Sequence, residues 1–161
     1  REPWSGVRTR YSFPRRAAQF RPLTGGVRGT EDCLYLNIWR PRSGEAGLPV
    51  YVWIHGGGNS IGSATMLPDY QGRRLAASGN LVFVSVNYRL GPMGWFTHPV
   101  LREGLSPEDD SGNYGTLDLI QALRWVRGNI AGFGGDPGAV DDRQVAVEAL
   151  RQPLGRIGGN R

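Results

Sequence analysis

The chain contains no lysine: all 19 of its basic residues are arginine. It has one cysteine and two histidines in 161 residues. Each scarcity excludes something. The single cysteine, Cys33, rules out a disulfide within the chain and argues against a cysteine-based metal site. It sits in an apolar, strand-like run, which suits a small buried hydrophobe. An activated thiol would need a neighbouring histidine or a positive helix end. Two histidines offer few candidates for a general base. No stretch nears the roughly 20 consecutive apolar residues of a membrane helix, so no membrane span is expected. No basic-then-apolar leader opens the chain. It starts at Arg1, not Met, so the N-terminus is taken as processed, trimmed or missing, and the compartment stays open. The arginines gather at the ends (Arg1, Arg8, Arg10, Arg15, Arg16, Arg21 and Arg28, then Arg143, Arg151, Arg156 and Arg161) rather than in one stripe. With 25 glycines and a net charge of +5, they read as coding bias. No specific nucleic-acid partner is expected.

What is present suits one globular domain. Apolar residues make up 39%, with five Trp, six Tyr and five Phe, which is enough for a core and argues against disorder. Residues 1–30 hold scattered prolines and a Gly25-Gly26 pair and read as irregular chain. Three strands are expected at 34–39, 50–54 and 81–86. The last two are nearly all apolar, which points to a sheet buried on both faces. A short helix is expected at Tyr70–Ser78, stopped by Gly79-Asn80. A longer helix has Thr116 as N-cap and Asp118 in its first turn. Leu119, Ala122, Leu123, Val126 and Ile130 form its apolar stripe, and Phe133 with Gly134-Gly135 ends it. Strands alternating with helices indicate an α/β domain with a largely parallel sheet. Residues 141–161 are polar and glycine-rich; Val145–Leu150 offers one or two helical turns and nothing extends the sheet.

The most informative segment is Ile54-His55-Gly56-Gly57-Gly58, directly after a strand. Three glycines let backbone amides approach a ligand and point at one spot. That arrangement suits an oxyanion hole, which needs preset N–H donors about 3 Å from a developing negative oxygen. Taken alone, such a triplet is more often a flexible glycine turn, and His55 reads as a packed histidine or as a base. Gly58-Asn59-Ser60-Ile61-Gly62 matches the Gly-x-Ser-x-Gly elbow. That elbow, however, sets serine between a strand and a helix. Here glycines separate the strand from Ser60 and no helix start follows, so Ser60 is not expected to be the nucleophile.

Glu31-Asp32-Cys33-Leu34-Tyr35-Leu36-Asn37 resembles the signature of type-B carboxylesterases, the family that includes cholinesterases. Other segments agree in order: Trp4-Ser5-Gly6-Val7, His55-Gly56-Gly57-Gly58, Val86-Asn87-Tyr88-Arg89-Leu90-Gly91 and Asn113-Tyr114-Gly115. Leu117-Asp118, Ala122-Leu123-Arg124-Trp125-Val126, Asn129-Ile130-Ala131 and Phe133-Gly134-Gly135-Asp136-Pro137 complete the series, which covers roughly residues 3–140. The resemblance implies an α/β-hydrolase fold and hydrolysis of small-molecule esters by a Ser–His–acid triad through an acyl-enzyme. No cofactor is called for. By resemblance, Gly57 and Gly58 supply oxyanion-hole amides and Gly56 belongs to the same substrate-binding loop. Asn59 stands where relatives often carry a bulky residue, which alters the acyl pocket. Arg89 and Asp118 match a structural salt bridge. Cys33 has no upstream partner and is expected to be a free thiol.

The likeness stops near residue 140. The family continues with an apolar strand and Gly-Glu-Ser-Ala-Gly, whereas this chain reads Asp141-Asp142-Arg143-Gln144 and has no serine after Ser111. The expectation is therefore an incomplete α/β-hydrolase fold over 1–140 followed by a non-family tail. An out-of-frame translation is one reading of that tail; translating the coding DNA past codon 140 in the other two frames would decide it. Relatives pair the signature Glu with an earlier Arg, so Glu31 is expected to lack that partner. The chain alone is expected to be inactive. A non-catalytic, cholinesterase-like binding module is the alternative.

Overall fold

The computed structural model describes residues 12–67, 72–102, 104 and 106–140. The Trp4–Val7 motif, Tyr70 and the tail at 141–161 lie outside the described residues. The first correction concerns the stretch read as irregular. Strands β1 (Gln19–Phe20) and β2 (Val27–Arg28) pair antiparallel. Gly25 and Gly26 reverse the chain between them at φ of 69° and 75°. The Gly25 amide donates to the Arg21 carbonyl and the Arg21 amide to that of Gly26, both at 3.0 Å. Strands of two residues are too short to show a periodicity.

The central sheet has three strands: β3 (Leu36–Trp39), β4 (Val50–Ile54) and β5 (Val82–Val86), in the order β3-β5-β4. Helix α1 (Arg73–Gly79) carries the chain from β4 to β5, which pair in parallel. A crossover element makes that direction possible. Asn80, left-handed at φ 46°, stops α1 as the sequence suggests. β3 reaches β4 through a turn and joins β5 antiparallel, so the described sheet is mixed.

Burial on both faces holds for β5 alone. All five of its residues are buried, whereas β3 is half-buried and β4 exposes Tyr51. Alternation along β5 explains the difference. Val82, Val84 and Val86 form a cluster with Leu48, Val126, Ile130 and Val140. Phe83 faces the other way, stacked on Tyr51 at 5.5 Å and edge-on to Trp39 at 5.8 Å. Gly72, just before α1, lies against the Phe83 ring; a Cβ there would overlap it.

Helix α2 (Tyr114–Asn129) has its N-cap at Asn113, three residues before the expected cap Thr116. Asn113 occupies the cap without a side-chain bond. The start is set by packing: the Gly115 amide donates to the Gly94 carbonyl at 2.9 Å, and its missing side chain admits the Trp95 ring. Asp118 consequently lies beyond the first turn. Val126 and Ile130 of the apolar stripe are fully buried, with Leu119 and Ala122 packed beside them. Complete burial of each large aliphatic stabilises by about 1.5–3 kcal/mol. A 3-10 turn, Ile130–Phe133, tightens the end, and left-handed Gly134 closes it.

The outer edge of β4 is open over most of its length among the described residues. The Val82 amide donates to the Pro49 carbonyl at 2.8 Å. In a parallel ladder this phase turns Tyr51 and Trp53 toward β5 and aims the backbone groups of Val50, Val52 and Ile54 outward. Leu48 shares that outward phase and is already paired. Its amide donates to Gly134 at 3.0 Å and its carbonyl accepts from Asp136 at 2.8 Å, a parallel bridge between Leu48 and Gly135. No described helix is long and apolar enough to cross a membrane.

Candidate functional site

The glycine loop leaves the end of β4 and is held from several sides. His55 is 1% exposed and stacks on Tyr88 with ring centroids 4.6 Å apart. The Tyr88 hydroxyl donates to the His55 carbonyl at 2.7 Å. Burial pushes that phenol up to about 12. Nδ1 of His55 is 3.0 Å from the Gly56 carbonyl, to which its N–H donates. Of the two readings of His55, packing is the one that these contacts support. Burial holds the imidazole below its ordinary 6.5, and the Gly56 bond offsets this in part. As pH falls, the unfolded chain takes up this proton before the folded one does. Stability is therefore expected to drop as pH falls below about 6.5. Urea midpoints at about pH 7.5 and about pH 5.5 test this. His55→Phe should shrink the difference; an unchanged difference would place the titration elsewhere.

Gly57 and Gly58 turn the backbone sharply at φ of 132° and 58°. The Gly57 carbonyl accepts from the amides of Ser60 and Ile61 at 3.1 and 3.2 Å. Among the described residues, nothing accepts from the amides of Gly57 or Gly58. Gly58 is exposed and Gly57 half-buried. Two uncommitted N–H groups on a fixed turn can receive an anionic oxygen. Gly56 has an ordinary φ and open space about its Cα. Asn59 is left-handed at φ 58°, a conformation asparagine tolerates better than bulky residues do. Its carbonyl accepts from the Gly91 amide at 2.7 Å.

Ser60 stands on an exposed turn, and its hydroxyl donates to the Gly58 carbonyl at 3.1 Å. No strand-to-helix elbow is formed there. The second histidine, His98, is exposed and its Nδ1 accepts from the Val100 amide at 3.2 Å. Each histidine ring thus has a structural partner.

Arg89 and Asp118 meet as expected. The guanidinium donates from Nε at 2.8 Å and from a terminal nitrogen at 2.7 Å, and the Arg89 amide adds a bond at 3.1 Å. Hydrogen bonding to Asp118 pushes the Arg89 guanidinium further up. Cys33 is a free, buried cysteine, and its thiol is pushed up by burial and then by the Asp118 charge. A cavity of about 270 Å³ lies beside it, lined by Ala17, Thr30, Glu31, Leu34, Arg89 and Met93 among others. The glycine loop does not line it.

Sequence reasoning missed three residues that hold the loop. Tyr88 is one. Asn87 accepts from the Ala64 amide at 2.8 Å. Gln19 is buried and bonds both backbone groups of Gly62. Asn87 and Tyr88 lie in a segment already singled out for its likeness; Gln19 gave no signal.

The family model for the carboxylesterase family matches residues 1–141. The chain belongs to the carboxylesterase family. Among its relatives are the fumonisin B1 esterase of Sphingopyxis macrogoltabida, 46% identical over 141 residues, and the cocaine esterase of Oryctolagus cuniculus, 43% over 154. These alignments take in 85% and 86% of this chain but 26% and 27% of the relatives. The chain thus spans about a quarter of the length of the curated carboxylesterases it matches. Solved structures agree. A PNB esterase superimposes with a TM-score of 0.67 at 41% identity, covering 78% of this chain and 26% of that one. The Geobacillus stearothermophilus carboxylesterase EST55 gives 0.67 at 41%, covering 83% and 27%. These neighbours are esterases of the α/β-hydrolase fold, of which this carboxylesterase chain carries a part.

Proposed function

We propose that this chain carries the oxyanion-binding loop of a serine carboxylesterase acting on small-molecule esters, and that alone it does not turn esters over. The observation that carries the reading is the pair of amides at Gly57 and Gly58, uncommitted on a turn held from several sides. Such donors stabilise the tetrahedral oxyanion of acyl transfer, typically by about 3–4 kcal/mol for one donor in a complete site. Gly56 and Asn59 flank them toward the acyl group.

A serine mechanism also needs a hydroxyl hydrogen-bonded to an imidazole, which an acid in turn orients. Ser60 donates to a carbonyl, His55 is packed under Tyr88, and His98 caps a turn. The sequence holds a single Gly-x-Ser-x-Gly, at Gly58–Gly62, and no serine after Ser111. Purified chain with p-nitrophenyl acetate is expected to release nitrophenolate no faster than buffer. Turnover well above buffer that Ser60→Ala abolishes would overturn the inactivity and reinstate Ser60 as nucleophile.

A further inference from the structure

We propose that Gln19 is the positioning residue of the oxyanion loop, acting through Gly62; this rests on the reading of that loop given above. Gln19 is 4% exposed, deep for a side chain with two donors and two acceptor sites. All four are used. Nε2 donates to the Gly62 carbonyl at 2.8 Å and to the Ala17 carbonyl at 3.0 Å. Oε1 accepts from the Gly62 amide at 3.0 Å and from the Arg28 guanidinium at 3.4 Å. The carboxamide thus grips both backbone groups of one residue, as a neighbouring strand would.

Gly62 is the far foot of the loop. Its φ is 125°, and a Cβ there would fall 2.5 Å from His55 Nδ1 and 2.7 Å from the Gly56 carbonyl oxygen. The next residue along is held in the same way: a Cβ on Gly57 would fall 1.9 Å from the Ile61 carbonyl oxygen. The backbone at 61–62 therefore lies directly on the backbone at 56–57. Wherever Gln19 holds Gly62, the amides of Gly57 and Gly58 are aimed. The other anchors act elsewhere: Tyr88 at His55, Gly91 at Asn59 and Asn87 at Ala64. None of them binds the residue that abuts Gly56. The β1–β2 ribbon gains a purpose from this, since Gln19 opens β1 and bonds inward from it.

Amide NMR on the 161-residue chain tests the proposal without an activity assay. It can fail while the esterase reading stands, and the reverse. In the wild type, both Gln19 carboxamide protons should exchange slowly; free-peptide exchange would overturn the latch. In Gln19→Leu, Gly62 amide exchange should accelerate by roughly tenfold or more, because a buried donor loses its acceptor. The Gly57 and Gly58 resonances should move while those of β5 stay. A change confined to Gly62 would reduce Gln19 to a tie for the ribbon. Gln19→Glu covers the case in which the leucine variant does not fold. Its carboxylate opposes the Gly62 and Ala17 carbonyls when ionised and can donate to Gly62 again when protonated. Arg28 faces the same side chain and His55 lies against Gly62, so the wild type is titrated in parallel. Beyond the wild-type changes, the Gly57 and Gly58 resonances of this variant should return toward native positions on acidification. Native positions at every pH would overturn the proposal.

Discussion

Alanine at Gly57 is expected to lower the unfolding free energy by about 3 kcal/mol or more, while its neighbours respond far less. The three loop glycines look alike in sequence and differ in surroundings. Gly57 combines a φ of 132° with a carbonyl oxygen 1.9 Å from the site of a Cβ, and that oxygen belongs to backbone. Backbone cannot rotate away as a side-chain tip can, so the turn must open. Gly58 has a left-handed φ of 58° and open space, leaving only the conformational cost of about 1–2 kcal/mol. Gly56 has neither obstacle, and alanine there should be nearly neutral. Urea unfolding of the three alanine variants checks the order. Equal effects at all three would mean that the turn is looser than its contacts imply.

The second large effect is expected at Asp118. Its side chain is 6% exposed and holds the Arg89 guanidinium and the Arg89 backbone amide together. Asp118→Ala leaves the Arg89 charge without its counter-ion, held only by the Tyr114 carbonyl at 3.3 Å, and the Arg89 amide without its carboxylate acceptor. Breaking a buried pair from one side costs about 3–5 kcal/mol. The Arg89 side chain is one-third exposed, so the lower end of that range, about 3 kcal/mol, is the expectation. Removing both partners should cost less than removing Asp118 alone, because no charge is then stranded. A double variant Arg89→Met, Asp118→Leu that is less stable than Asp118→Ala would contradict that account.

The sequence showed these features unevenly, for physical reasons. β4 and β5 were legible because long apolar runs bounded by turn residues have few other interpretations. The stripe from Leu119 to Ile130 was legible because a helix repeats its buried face. The start of α2 is not legible from caps, because Thr116 offers a polar cap that the helix does not use. The start is instead fixed by the Trp95 ring closing on Gly115, a tertiary contact with no local pattern. The apolar run of β4 overstates its burial, since such a run does not say how many neighbours a strand has. The glycine triplet is legible on its own as three glycines directly after a strand, the Arg89–Asp118 pair only through family likeness, and the structure supplies the geometry of both. Gln19 is invisible in the sequence because Gly62, the residue it grips, lies 43 residues away along the chain. A lone glutamine among apolar neighbours carries no signal for such a contact.

The bridge between Leu48 and Gly135 also bears on the order in which the molecule assembles. It joins the segment before β4 to the segment after α2, so β4, β5 and both helices lie between its two ends. Closing so long a loop costs conformational entropy that one pair of hydrogen bonds does not recover. The β4–α1–β5 unit and α2 are built from contacts closer in sequence and can form first. Non-local pairings of this kind slow folding. The bridge is thus expected to be among the last contacts made, and it occupies Leu48 alone, so among the described residues the outward groups of Val50, Val52 and Ile54 are bare before and after it forms. A strand edge that is open both during and after the slowest step can meet another copy of itself, so refolding yield should fall as chain concentration rises.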